Sequence, residues 1–224
     1  MSENFHPPAS QTEYVILLHG LGRTKRSMKT TETSLADHGY NVVNVDYPST
    51  KHPIEYLADK ILNDILKDYK RKTHSKIHFV THSLGSIVIR YYLKHHNLSN
   101  LGRVVMLSPP NQGSELVDWL KNSFVFKKWS GPAAQQLSTR ADGFLRRLGP
   151  VNFELGVITG EKPIDPLALF IIPGPHDGKV SVERAKVQGM SDFLVLPYSH
   201  TFIMRSPVVL DQVLHFLRHG AFKH

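Results

Sequence analysis

The sequence predicts an α/β protein: a doubly wound, mostly parallel sheet of about six strands, helices on both faces, and a small helical cap. Three observations carry this. Short apolar runs that end in glycine, proline or a polar turn alternate with longer stretches of helical periodicity, as successive βαβ units require. The runs are apolar at consecutive positions, which suits strands covered on both faces. The chain has 224 residues, 41% of them hydrophobic and 21% charged, enough for one such sheet and too few for two unrelated domains.

The elements follow in order. Residues 12–20 (TEYVILLHG) form the first strand, 27–39 a weak helix stopped by Gly39, and 41–49 (NVVNVDYPS) the second strand. Apolar residues at 54, 57, 58, 61, 62, 65, 66 and 69 make the clearest amphipathic helix. A third strand (76–82), a helix (83–96) and a fourth strand (103–110) come next. Residues 114–148 hold two helices around a Gly131-Pro132 break and constitute the cap. Strands at 151–160 and 192–197 precede a last helix over 206–220, with Ser206 as N-cap, Pro207 in the first turn and Gly220 as stop. The run LALFII (167–172) is too short for periodicity to decide and is left unassigned. With no internal repeat and no linker-like tract, residues 1–224 read as a single domain whose first 11 residues are flexible.

Composition removes several chemistries. There is no cysteine, hence no disulfide framework, thiolate metal site or cysteine nucleophile. No stretch of about 18 apolar residues and no leader pattern is present, so a soluble, cytoplasmic protein is expected, with peripheral membrane contact left open. The net charge of +8, from 27 Lys and Arg against 19 Asp and Glu, suits anionic partners of several kinds. The basic residues are scattered over 67–76, 126–128 and 144–148, without interleaved aromatics suited to base stacking, and no nucleic-acid partner is expected. Among the 14 histidines, His95 and His96 face different ways on a helix, and His74 and His78 have no accompanying metal motif. No metal site and no cofactor are expected.

In open α/β sheets ligands collect at the carboxyl ends of the strands, and three such ends are informative. THSLG (81–85) sets Ser83 on a tight strand-to-helix turn, where its hydroxyl stands clear of the sheet at a helix N-terminus. Gly85 supplies the small residue after it; Thr81 stands where the G-x-S-x-G pattern has its first glycine. His82, adjacent on the turn, points away from Ser83 and reads as a packed histidine. HGLGR (19–23) follows the first strand, and the N–H groups of Leu21 and Leu84 are the candidate donors to an oxyanion. PHDG (175–178) and YSH (198–200) offer the acid and the base: a serine nucleophile needs an imidazole, here His200, and the imidazole needs a carboxylate, here Asp177. Asp165, in a turn before Pro166, and Asp192, which leads into a strand at the opposite end, are the rival acids.

HGLGR, THSLGS and PGPHDGKVSVE…PYSHTF together resemble the bacterial lipase and esterase branch of the α/β-hydrolase superfamily, including small lidless lipases with an AHSxGG elbow. The resemblance spans nearly the whole chain and departs at Thr81. It implies a Ser83, Asp177, His200 triad with Leu21 and Leu84 as oxyanion donors, acting on small-molecule acyl esters, lipids among them. The segment 109–115 resembles the loop leading to a small cap, whose Leu116, Trp119, Leu120, Phe124, Val125 and Phe126 are available to line an acyl pocket; Trp119, Leu120 and Phe124 are the substrate-binding candidates. Acyl transfer or thioester hydrolysis would use the same triad, and a non-catalytic scaffold on the same fold is the alternative of another class. Oligomeric state is not legible.

Overall fold

In the computed structural model, which describes residues 13–72 and 75–224, six parallel strands form one sheet in the order β2-β1-β3-β4-β5-β6. They are β1 (Tyr14–Leu18), β2 (Asn41–Val45), β3 (Ile77–His82), β4 (Leu101–Leu107), β5 (Leu155–Gly160) and β6 (Asp192–Leu196). The segment 1–11 and His74, on which the sequence raised expectations, lie outside the described residues. The chain winds outward from β1 to β2, then returns to place β3 on the other side of β1. The loops leaving β1 and β3 therefore part at a switch point, the usual place for a ligand crevice. Leu18 pairs in register with Val45 on one side and Thr81 on the other, so HGLGR and Ser83 emerge side by side.

Both faces of the sheet are covered because alternate residues of each strand point to opposite sides. Ile16 and Leu18 of β1 pack with Leu57, Leu62 and Ile87. Val15 and Leu17 pack with Leu35, Val213 and Phe216 on the other face. All of these are buried, and each contributes about 1.5–3 kcal/mol relative to exposure. The first cluster is roofed by the helices between β2 and β4, including α4 (Leu84–His95); the second by α1 (Lys29–Asp37) and α10 (Pro207–His219).

The structure refines several expected elements. A 3₁₀ turn, Lys25–Met28, leads into α1. The amphipathic stretch from Ile54 is not one uniform helix: α2 (Ile54–Tyr56) passes through a π-helical segment, Leu57–Leu62, into α3 (Asn63–Lys72). The wider turn rephases the stripe, and the doubled apolar positions at 57/58 and 61/62 absorb the change. Residues 114–148 form three helices rather than two: α5 (Glu115–Leu120), α6 (Phe124–Gln135) and α7 (Phe144–Leu148). Gly131, at φ 73°, breaks α6 directly before Pro132. LALFII contains a single turn, α8 (Ala168–Ile171), and α9 (Val182–Ala185), which the sequence did not suggest, is capped by the Ser181 side chain. The caps of α10 are those expected: Ser206 Oγ accepts from the Val209 N–H, and Gly220 is left-handed. Among the described residues no helix is long and apolar enough to cross a membrane.

The α6 break is a point of close backbone contact. A Cβ on Gly131 would lie 1.7 Å from the Thr50 carbonyl oxygen, whereas Gly39, also at positive φ, has open space around it. Gly131→Ala should therefore lower the unfolding free energy by about 2–4 kcal/mol, and Gly39→Ala by only about 1–2 kcal/mol. Urea denaturation of the two variants checks this; equal losses would assign the cost to backbone strain and not to the collision.

Candidate active site

Ser83 is the only residue between Ile77 and Arg90 that is not buried. It sits in left-handed backbone, φ 52° and ψ −119°, between β3 and α4, a conformation a non-glycine residue adopts only when its surroundings enforce it. The enforcement is visible. Its N–H donates to Leu107 O of the neighbouring strand at 3.0 Å. A Cβ at Gly85 would lie 2.6 Å from Leu18 O and 2.8 Å from His19 O, so α4 runs directly against the end of β1. Thr81, where the motif usually has glycine, is fully buried beneath the turn, its hydroxyl 2.9 Å from the Ser86 hydroxyl. That hydroxyl pair satisfies a polar side chain in a place where an unpaired one would be costly, and it explains how the substitution is accommodated.

The loop after β1 is pressed onto the same turn: a Cβ on Gly20 would meet His82 Nδ1 at 2.9 Å and Ser83 Cβ at 3.2 Å. His19 is buried and stacks on Tyr47 with ring centroids 4.2 Å apart. Its Nδ1–H donates to Gly20 O at 2.9 Å while Nε2 accepts from the Tyr47 N–H at 3.3 Å. Tyr47 Oη donates in turn to His19 O. Leu21 is thus held on a fixed loop, and neither its N–H nor that of Leu84 donates to a protein acceptor among the described residues. Leu84 opens α4, where the first N–H groups have no intrahelical partner.

Asp177 and His200 are brought together as the sequence suggested. His200 Nδ1–H donates to Asp177 Oδ2 at 2.8 Å, both side chains being buried. The other carboxylate oxygen accepts from the N–H groups of Lys179 and Val180, each at 2.9 Å. Burial by itself would push the Asp177 carboxyl up; His200, Ser108 and the Val180 N–H more than offset this and hold it below the usual carboxylate range. The rivals are elsewhere. Asp165 caps the turn at Leu167, and Asp192, at the start of β6, accepts from the N–H groups of Phe193 and Phe222. No hydrogen bond joins Ser83 to the His200 ring among the described residues, but both line one cavity, and such bonds are commonly long before substrate binds.

That cavity, of ≈ 220 Å³, is walled by Leu116, Val117, Leu120, Phe126, Trp129 and Leu137. Leu120 is where the sequence put it. Trp119 lines a neighbouring hollow with Ile164, Leu167 and Phe202 on the far side of His200. Phe124 lines neither cavity and is 77% exposed. The physical reason is that α5 and α6 are short helices with more than one face, and only one face of each can look inward.

Several residues escaped the sequence reading. Trp129 packs over Gly22, where a Cβ would meet its ring at 3.2 Å. Arg23 and Lys179 both line the Ser83 cavity. Ser108, at the end of β4, is fully buried and is the other non-glycine residue at positive φ, 48°, among the described residues; it lies beside Asp177 and helps lower its carboxyl. Nothing in LSPP advertises this; a serine directly after a strand and before two prolines reads as an ordinary turn. His82 is buried, as expected, and its Nε2–H donates to His200 O at 2.9 Å. The candidate metal ligands have other partners: His78 pairs with Glu13 and His96 with Asp59.

Burial pushes the imidazoles of His19 and His82 below the ordinary histidine value of 6.5, His82 well below. Unfolded, both rings would take up protons near that value. Folding then releases protons at lower pH, so this contribution is complete above about pH 6.5 and is lost as pH falls towards the lowered folded-state values. The slope is at most about 1.4 kcal/mol per pH unit for each ring. Urea midpoints at pH 7.5 and pH 5.5 should show a lower midpoint at pH 5.5, and a constant midpoint would mean that the rings are not held neutral.

Comparison with known proteins agrees with this architecture. The sequence profile described as the alpha/beta hydrolase family matches residues 15–206. No curated protein matches the chain in sequence. Among solved structures, the mature form of the Bacillus licheniformis lipase BlEst2 superimposes with a TM-score of 0.69 at 20% identity, covering 94% of each chain. Its propeptide form gives 0.74 at 19% identity over 97% of this chain and 52% of that one. Phospholipase PlaB from Legionella pneumophila gives 0.72 at 19% identity over 92% and 57%. The chain thus spans about half the length of the last two, and at these identities the likeness speaks for the fold. With the profile covering most of the sequence, the chain belongs to the alpha/beta hydrolase family.

Proposed function

We propose that the chain is a serine hydrolase that cleaves carboxylic esters through an acyl-enzyme. The observation that carries this is one cavity shared by a serine on a strained turn and a histidine whose other nitrogen is held at 2.8 Å by a buried carboxylate. In this reading Ser83 Oγ attacks the ester carbonyl and His200 Nε2 takes its proton. Asp177 keeps the Nδ1–H tautomer and stabilises the imidazolium as it forms. The carbonyl oxygen, becoming an oxyanion, accepts from the N–H groups of Leu21 and Leu84. His200 then protonates the departing alcohol, water attacks the acyl-enzyme with His200 again as base, and the acid leaves.

The apolar wall from Leu116 to Leu137 suits the acyl chain, and the alcohol would leave past His200 towards the hollow that holds Trp119. Two of the structural neighbours are described as a lipase and a phospholipase, which supports ester hydrolysis as the chemistry. No metal or cofactor takes part in these steps.

Wild-type protein should react covalently with a fluorophosphonate probe and Ser83→Ala should not; absence of labelling in both would overturn the reading. With a soluble short-chain ester, Ser83→Ala should lose activity by a factor of about 10⁵ or more. Asp177→Asn should lower kcat by about 10³–10⁴ by allowing the wrong tautomer. Asp165→Asn should leave kcat within about twofold, and the reverse ranking would identify Asp165 as the acid.

A further inference from the structure

We infer that the face surrounding the mouth of the Ser83 cavity docks on an anionic lipid bilayer. The large apolar side chains exposed among the described residues are concentrated there: all except Tyr56 and Val208 belong to α5, α6, the segment around α8, or Phe202. Trp129 borders the Ser83 cavity, and Trp119, Leu167 and Phe202 the adjoining hollow; the two share Leu116, Leu120, Lys179 and His200. These elements are one surface, since α5 packs against both α6 and α8. Val125, 74% exposed, and Phe170, 89% exposed, project from α6 and α8 without lining either cavity. An apolar surface of this breadth, centred on a cavity mouth, marks an interaction site.

Charge identifies the occupant. Lysines 121, 127 and 128 punctuate the apolar residues, and no acidic residue occurs between Lys121 and Gln135. Lys127 and Lys128 are exposed and take part in no ion pair among the described residues. Arg23 and Lys179, at the mouth itself, form no ion pair among the described residues; burial and then Arg23 lower the Lys179 ammonium, and the nearby Asp177 and Asp165 carboxylates partly offset this. Exposed aromatics interleaved with unpaired lysines on a short helix suit the boundary between headgroups and acyl chains of an anionic membrane. A second copy of the chain fits poorly, because a twofold contact through this face would set α6 lysines against α6 lysines. Docking would deliver an acyl chain directly to the cavity, so its use in catalysis rests on the ester-hydrolase reading, while docking itself does not.

Both tryptophans of the chain lie on this face, which gives a label-free readout. Full-length Ser83→Ala protein, unable to consume the vesicles in that reading, is mixed with vesicles of phosphatidylglycerol and phosphatidylcholine, or of phosphatidylcholine alone. Co-sedimentation and a shift of tryptophan emission to shorter wavelength are expected with the mixed vesicles, with binding at least about tenfold weaker to phosphatidylcholine alone. Lys127→Glu with Lys128→Glu should weaken binding about tenfold or more, and Val125→Ser with Phe170→Ser by a similar factor. In the wild-type background each pair should leave turnover of a soluble short-chain ester unchanged. No binding, equal binding to both vesicle types, binding indifferent to the substitutions, or an emission shift that follows protein concentration without lipid would each overturn the proposal. Failure of the fluorophosphonate probe alongside normal vesicle binding would remove the hydrolase reading and leave docking intact.

Discussion

The arrangement of this site depends on how closely two loops approach each other at the β1/β3 switch point. α4 begins where a Cβ at position 85 would lie 2.6 Å from the Leu18 carbonyl oxygen, and the β1 loop passes where one at position 20 would reach the Ser83 side chain at 3.2 Å. At position 85 only glycine permits such an approach to backbone oxygens, and at position 20 a side chain would have to displace its neighbours. These distances set the loop that carries Leu21 against the turn that carries Ser83 and Leu84. The same approach forces Ser83 into left-handed backbone, and the strain is borne by the surrounding sheet: the Leu107 carbonyl fixes the Ser83 N–H, and β3 is buried along its whole length. A strained residue persists when the structure around it over-determines its position, and here six parallel strands with both faces covered supply that rigidity.

Around this point several of the buried polar groups are tied to one another. Asp177 is saturated by two backbone N–H groups and the His200 ring; His200 donates its backbone N–H to Asp177 O and accepts from His82 at its own carbonyl. His82 is therefore tied to the backbone of the loop that presents His200, while burial disfavours its own charged form. Thr81 and Ser86 satisfy each other below the elbow. Each connection answers the desolvation cost of the group it satisfies. Together they fix the ring of His200 through both its side chain and its main chain.

Most of this was legible because the relevant signals are local. Alternating apolar runs gave the six strands and their order of appearance, and the turn residues at 19–23, 81–85 and 198–200 each follow a strand end, where parallel topology gathers ligands, while 175–178 lies in the long connection between β5 and β6. The departures have equally specific causes. The π-helical turn at Leu57–Leu62 packs against α4, and a stripe with doubled apolar positions fits it as well as it fits a regular helix. Ser108 carries no motif; it stands out only once its burial at the end of β4 and its φ of 48° are seen. Arg23 and Lys179 read as ordinary surface charge until both are seen on one cavity.

The cap shows where composition misleads. Its apolar residues invite the reading that all of them face inward, because burial is the usual fate of Phe, Val and Trp. α6 reverses that pattern: the residues it buries are Ser130, Ala133 and Ala134, while Phe124, Val125 and Trp129 are exposed. The reversal has a geometric origin, since Gly131 lies against the Thr50 backbone and only small side chains fit beside such an approach. Within the segment of α6 that precedes the break, Ser130 and the half-buried Phe126 lie one turn apart on the inner side, and periodicity sends Phe124, Val125, Trp129 and the two lysines outward. An inverted helix of this kind is unfavourable for a surface that meets only water, and the cost is offset where the surface meets hydrocarbon. The constraint that closes the cap over the sheet is thus the same one that turns its aromatic side towards the mouth of the site.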